Sequence, residues 1–139
     1  MTVSQTEKER RSALIKQHYL VENGHDMDGV MATFSPAGVM LYNRLTFSDP
    51  ESIRLAHGLI GFGVTGGAIE NVHNHIDAEH FTEDEVIIEG RMTGKHVGEF
   101  QGVAATGRDI EMPFVGFYRF DEKDQLISER VVMNVGALV

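Results

Sequence analysis

The sequence predicts an α+β protein in which helices pack against one face of a mostly antiparallel sheet. Up to about residue 60 the apolar residues recur at helical spacing, whereas from residue 72 they alternate with polar residues at the period of a strand. Helices followed by a run of strands is the order typical of this class. At 139 residues we expect a single domain, residues 1–139, with a substantial hydrophobic core.

Two helices are expected before residue 36. Their N-cap candidates are short polar side chains: Ser4 or Thr6 for the first helix, and Asp26 or Asp28 for the second. The first helix is expected to end at Gly24. The second is expected to carry Phe34 inward and to break at Ser35-Pro36.

A third helix is predicted to begin within Ser48–Glu51, where a capping side chain precedes a proline and an acid. One of its faces is expected to consist of Ile53, His57, Ile60 and Val64. The segment Gly58–Gly67 contains five glycines, which are poor helix formers. We therefore expect this segment to be a flexible lip of a pocket, with faster amide exchange than the first helix.

The second half of the chain predicts a meander of strands separated by polar turns. The predicted strands are Val72–Phe81, Glu85–His96, Arg108–Phe120 and Leu126–Val135. In the second of them Met92 and His96 continue the apolar, inward-facing row, while charged residues occupy the alternate positions. His96 is therefore predicted to face the interior.

Composition excludes several classes of function. The formal net charge is −9, which weighs against binding to nucleic acid, because no surplus of Lys and Arg is present to neutralise phosphates. The absence of cysteine removes disulfides and thiolate chemistry. No run of about 18 apolar residues occurs, so we expect a soluble, cytoplasmic protein without a membrane partner.

Two motifs match the chain and are rejected. Gly61–Gly66 fits G-x-G-x-x-G, but a helix precedes it and a strand follows, the reverse of a dinucleotide site. His73 and His75, followed by Glu79, resemble the first metal motif of cupins. The second cupin motif is absent, and these side chains form the polar face of their strand. No cofactor and no metal ion are therefore expected.

Four segments together are more informative. In chain order they are Gly94–Gly102, Ala104–Arg108, Phe117–Phe120 and Ser128–Asn134. This series resembles the SnoaL-like polyketide (ester) cyclase family over about residues 72–134. The resemblance implies a nuclear-transport-factor-2-like fold, a cone-shaped roll of curved, mostly antiparallel sheet packed on three N-terminal helices. It also implies a deep apolar pocket and a homodimer.

In that family the reaction is a cofactor-free intramolecular aldol ring closure, begun by a general base. His96, which faces inward within a matching motif, is the best placed candidate for this base. The family's aspartate near the end of the last strand corresponds to Asn134, which cannot exchange a proton at neutral pH and is expected to orient a substrate carbonyl. The remaining pocket candidates, some of them alternative acid/base groups, are His80, Asp109, Glu111, Tyr42, Met92 and His57.

Two functions from different classes remain open. The first is a cyclase acting on a small apolar or polycarbonyl molecule. The second is a non-catalytic binding protein of the same fold, suggested by Asn134 where a titrating group is expected. A hydrolase or isomerase on the same cone is a further alternative, since one fold hosts many chemistries.

Overall fold

The structure is a computed structural model, and it describes residues 2–139. The helices are α1 (Gln5–Asn23), α2 (Met27–Ala32) and α3 (Pro50–Ile60). The strands are β1 (Phe34–Tyr42), β2 (Leu45–Phe47), β3 (Ile69–Phe81), β4 (Val86–His96), β5 (Asp109–Phe120) and β6 (Leu126–Met133), and a 3-10 helix covers Val135–Leu138. The predicted α+β class is confirmed.

Each of the three α-helices begins at a side-chain cap that the sequence offers. Ser4 Oγ accepts a hydrogen bond from the backbone N–H of Glu7 at 3.1 Å. Asp26 caps α2 in the same way, and Asp49 caps α3. These oxygens satisfy N–H groups that have no partner within the helix, so the helix starts are fixed locally.

The six strands form one open, mixed sheet in the order β2-β1-β6-β5-β4-β3. Only β1 and β6 run parallel, and the other neighbouring pairs are antiparallel. The parallel pair joins the helical half of the chain to the meander. Helices α1 and α3 pack on one side of this sheet, so side chains from α1, α3 and β6 meet in the interior.

Two expectations about the first half are corrected. Helix α2 ends at Ala32, and Phe34 begins β1 by pairing with Leu126. A register shift between Phe34 and Val39 accommodates Pro36, which cannot donate to the ladder.

Helix α3 ends at Ile60, one turn before the predicted face would have reached Val64. Gly61 turns the chain at φ 133°, where a Cβ atom would lie 2.1 Å from the carbonyl oxygen of Ile69. The helix therefore stops where the backbone must pass close to β3. Val64 is consequently exposed rather than buried.

Candidate functional site

Four titratable side chains meet in the interior of the fold. His18 and Glu22 lie one turn apart on α1, His57 lies on α3 and Glu129 on β6, and all four are buried. We call these four residues the interior cluster. Its Nε2 atoms lie close to carboxylate oxygens: His18 is 3.3 Å from Glu22 and 3.0 Å from Glu129, and His57 is 3.1 Å from Glu22.

Both imidazoles are oriented through their Nδ1 atoms. His57 Nδ1 lies 2.8 Å from the carbonyl oxygen of Ile53, which only accepts, so the ring donates there. His18 Nδ1 lies 2.8 Å from Thr33 Oγ1, and that hydroxyl donates to the carbonyl of Val30. These bonds place a proton on Nδ1 of both rings and turn both Nε2 atoms toward the carboxylates.

The two carboxylates have different surroundings. Glu22 Oε1 accepts a hydrogen bond from Asn74 Nδ2 at 2.8 Å, and its Oε2 faces both imidazoles. Glu129 faces one imidazole only, through Oε1. Within residues 2–139, His18 Nε2, His57 Nε2 and Glu129 Oε1 make no well-aligned hydrogen bond despite these short separations.

Charge is concentrated in the cluster. Burial by itself lowers the pKa of His18, but the carboxylates of Glu22 and Glu129 outweigh it and raise that pKa to about 10. The pKa of His57 is raised as well, because Glu22 outweighs the effect of burial. Burial favours the neutral acid of Glu22, yet the two imidazoles hold its pKa below the usual range. Buried charges are thus held in opposite pairs.

Three buried phenols surround the cluster. The hydroxyls of Tyr19 and Tyr118 form a hydrogen bond of 2.5 Å. Burial raises the pKa of Tyr19, Tyr42 and Tyr118 well above the ordinary value. All three therefore stay neutral and keep an O–H group that can donate.

A cavity of about 10 Å³ lies against the cluster. Glu22 and Glu129 lie on its wall together with Tyr42, Asn74 and Tyr118, and the apolar part is formed by Phe62, Met92, Phe114, Val131 and Met133. A space of this size holds about one water molecule. The interior thus differs from the deep apolar pocket that the family resemblance implies, because aromatic rings fill it and buried charges form part of its wall.

Three of the predicted pocket residues lie at this site. Tyr42 and Met92 line the cavity, and His57 belongs to the interior cluster. His96 is also buried, as its alternating pattern predicts. Its Nδ1 accepts a hydrogen bond from the backbone N–H of Thr106 and lies 3.0 Å from the Thr106 hydroxyl, away from the cavity wall.

The other predicted residues lie on the outside of the molecule. Asn134 follows β6, is exposed, and borders a surface hollow with Arg91. Its side chain makes no capping hydrogen bond to the 3-10 helix. The structure therefore does not place Asn134 beside His96.

His80 and Glu111 are also exposed, because they occupy outward positions of β3 and β5. His80 is paired with Glu89 at 2.5 Å, and Glu111 lies 3.8 Å from Arg91. Asp109 begins β5 and is exposed as well. None of these three borders the cavity.

Sequence reasoning missed His18, Glu22 and Glu129, although their periodicity was readable. His18 and Glu22 share the buried stripe of α1 with Ile15 and Tyr19. Glu129 occupies the same alternating row of β6 as Val131 and Met133. A charged residue on an apolar stripe is the signal that identifies such a group, because unpaired charges are rarely buried.

Three helices on an open six-stranded mixed sheet, with polar groups buried between them, define the class: this is a nuclear-transport-factor-2-like fold, as in ketosteroid isomerase-like proteins. Residues 65–139 match the family model of SnoaL-like polyketide cyclases. That match spans more than half of the chain, so the chain belongs to this family. The family named from the motif series is therefore confirmed.

Solved structures agree on the fold. A SnoaL-like polyketide cyclase, provisionally so named, from Jannaschia sp. CCS1 is 18% identical with a TM-score of 0.79, over 99% of this chain and 96% of that one. AclR of Streptomyces galilaeus, provisionally named a hydroxylase, is 24% identical with a TM-score of 0.73. The match covers 92% of this chain and 77% of AclR. A protein from Catenulispora acidiphila with a ketosteroid isomerase-like fold, in complex with trimethylamine, is 16% identical with a TM-score of 0.72. The match covers 90% of this chain and 88% of that one.

No curated protein sequence matches the chain. Among residues 2–139, no helix has both the length and the apolar character needed to cross a bilayer.

Proposed function

We propose that this protein is a cyclase-type enzyme that closes a ring in a small polycarbonyl substrate by a general-base-assisted intramolecular aldol reaction, with Glu129 as the base. One observation carries the proposal. Glu129 is a buried carboxylate on the wall of the interior cavity, and it lies beside groups that can stabilise a developing oxyanion.

Of the two carboxylates, Glu129 is the better base. Glu22 faces Asn74 and both imidazoles, and each of these contacts stabilises its ionised form. Glu129 lies on the cavity wall and faces only His18, so fewer protein groups occupy its carboxylate oxygens.

The reaction needs a base, an oxyanion donor and a protected space. Glu129 removes a proton from a carbon between two carbonyls, and the C–H electrons form an enolate. Tyr42, on the cavity wall, can donate its hydroxyl to the enolate oxygen. The enolate carbon then bonds to a second carbonyl carbon, whose oxygen recovers the proton from Glu129. The protons balance, and no bound cofactor is consumed.

A substrate requires more space than the present cavity offers, and Phe62 is the part of the wall best placed to provide it. Phe62 lies within the glycine-rich segment, between Gly61 and an exposed stretch around Val64. Movement of this segment would withdraw the ring from the cavity. Hydrogen exchange tests this lip: amides of residues 62–66 should exchange faster than those of α1, and equal protection would contradict the proposed opening.

One turnover assay tests the proposed base role of Glu129 and the predicted base role of His96. Purified protein is incubated with a panel of β-keto esters, each carrying a second carbonyl that can close a six-membered ring. Glu129→Gln should lower turnover by about 10²–10⁴-fold. His96→Gln should retain most of it, and the exposed His80→Gln serves as the matched surface control.

Each outcome separates the candidate functions. Loss of turnover in His96→Gln with full turnover in Glu129→Gln would return the base role to His96. Absence of turnover across the panel, together with thermal stabilisation by panel members, would favour the non-catalytic binding protein suggested by Asn134. Hydrolysis or double-bond migration would instead indicate the hydrolase or isomerase. We also expect a homodimer, which sedimentation measurements can test.

A further inference from the structure

We propose that His18, Glu22 and His57 form a binding site for one divalent transition-metal ion such as Zn²⁺, Co²⁺ or Fe²⁺. One donor atom from each of these residues lies within 4.8 Å of the other two, and all three side chains are buried. Two imidazoles and one carboxylate are a ligand set that binds such ions, and the set leaves coordination positions open.

The orientation of the donor atoms supports an ion more strongly than their proximity does. A protonated imidazole beside a carboxylate would be expected to donate along its N–H direction. Neither His18 Nε2 nor His57 Nε2 makes such a bond, although each lies 3.1–3.3 Å from Glu22 Oε2. Atoms that are close neighbours without pointing at one another are the arrangement expected around a shared ion.

The separations also fit a coordination sphere. Metal bonds of about 2.0–2.1 Å in tetrahedral geometry separate neighbouring ligand atoms by about 3.3 Å. Glu22 Oε2 is 3.3 Å from the Nε2 of His18 and 3.1 Å from that of His57. The remaining pair, one donor atom on each imidazole, lies within 4.8 Å, so an ion could be bound once the two rings adopt the tetrahedral separation.

The surrounding hydrogen bonds already suit this role. Ligating histidines usually donate the other ring N–H to a carbonyl or another acceptor, which fixes the ring orientation. His57 does so to Ile53, and His18 to Thr33. Asn74 holds the second oxygen of Glu22. Each proposed ligand is thus oriented by a contact that leaves its metal-binding atom available.

Charge points the same way. Glu22 and Glu129 bring two negative charges into the interior, and a divalent cation would keep them neutralised when it replaces the Nε2 protons of His18 and His57. Glu129 Oε1 lies 3.0 Å from His18 Nε2, at the edge of the proposed sphere. In the proposed reaction it acts as the base beside the ion, and a loss of metal affinity in Glu129→Gln would instead identify it as a fourth ligand.

This inference concerns the cluster used in the proposed reaction, but metal binding does not depend on that reaction. If both proposals hold, the ion would polarise a substrate carbonyl while Glu129 accepts the proton. Binding is therefore measured without any substrate. A protein that binds metal and turns nothing over would refute only the reaction.

The experiment loads EDTA-treated full-length protein with Zn²⁺ or Co²⁺, removes excess metal by gel filtration, and measures metal content and the visible spectrum of the Co²⁺ form. We expect one ion per chain, strong visible bands of four- or five-coordinate Co²⁺, and a rise in melting temperature. His57→Gln should weaken binding at least tenfold. Glu129→Gln should retain the ion if Glu129 is the base and should lose affinity if it is a ligand.

His73→Gln is the matched control, because His73 and His75 form a surface pair with rings 4.7 Å apart that could bind metal adventitiously. The proposal requires this variant to bind metal as the wild type does. It is overturned if the wild type retains no ion, if Co²⁺ shows only weak octahedral bands, or if His73→Gln loses the ion while His57→Gln keeps it. The wild-type spectrum decides the question even if His57→Gln fails to fold.

Discussion

Two buried histidine environments in this molecule differ in what surrounds the ring. In the interior cluster, two imidazoles face two carboxylates at the junction of α1, α3 and β6. His96, equally buried, contacts Thr106 through one ring nitrogen. The motif series pointed to His96, whereas the proposed base and the proposed metal ligands lie at the cluster. Burial is therefore common to the two environments, and the partners of the ring distinguish them.

The two environments also secure different parts of the fold. The cluster joins both long helices to the last strand through charged contacts. The His96 contact joins the end of β4 to the loop before β5, and backbone hydrogen bonds from Gly107 to His96 and from His96 to Arg108 reinforce it. We expect the loss of a cluster residue to affect the whole fold and the loss of His96 to affect mainly this corner.

The largest expected effect is that of His18→Leu. This change removes the only imidazole that faces both carboxylates and leaves Glu129 without its partner, so it should lower the free energy of unfolding by about 3–5 kcal/mol. His96→Leu should cost less, about 1–3 kcal/mol, because it leaves the Thr106 backbone N–H without its acceptor, whereas the Thr106 hydroxyl still accepts from the backbone N–H of Arg108. Urea denaturation of both variants in EDTA measures the difference.

Equal losses in these two variants would remove the distinction between the environments. The exposed pair provides the baseline, because His80 and Glu89 are each more than half exposed. His80→Gln should change the free energy of unfolding by less than about 1 kcal/mol. A larger effect there would indicate that surface charge, rather than burial, governs stability in this protein.

The hydrogen-bonded pair of Tyr19 and Tyr118 beside the cluster should contribute less to the free energy of unfolding than His18 does. Tyr19→Phe leaves the buried Tyr118 hydroxyl without its 2.5 Å partner and should cost about 1–3 kcal/mol. The double variant with Tyr118→Phe should cost less than the sum of the two single changes, because it leaves no unpaired hydroxyl. A double-mutant cycle from urea denaturation measures the coupling, and additive costs would show that the two hydroxyls do not depend on each other.

Much of the fold could be predicted from local patterns. Helix caps such as Ser4 and Asp26 and the alternating rows of β4 and β5 act over a few residues, so they are readable in the sequence. The short strand β2 and the early end of α3 were not predicted. The helix end depends on the close approach of Gly61 to Ile69, a contact that only the folded chain creates.

The site was predicted only in part, for a related reason. Tyr42, Met92 and His57 were recognised because they lie on apolar rows. Glu22 and Glu129 lie on such rows too, but they come together in one cluster only because the fold brings α1 and β6 into contact. The partner of a buried charge is set by the tertiary structure. A single sequence therefore shows that a charged residue lies on an apolar row but not which residue it pairs with.

The smallest effect expected beside a buried histidine tests how the His96 corner is held. Thr106→Val removes the hydroxyl 3.0 Å from His96 Nδ1 but keeps the backbone N–H that donates to the same atom. It should therefore cost only about 0.5–1.5 kcal/mol in urea denaturation and leave the metal content unchanged. A loss as large as that of His18→Leu, or a loss of bound metal, would mean that this corner and the interior cluster act as one unit, because sites without shared partners should contribute independently.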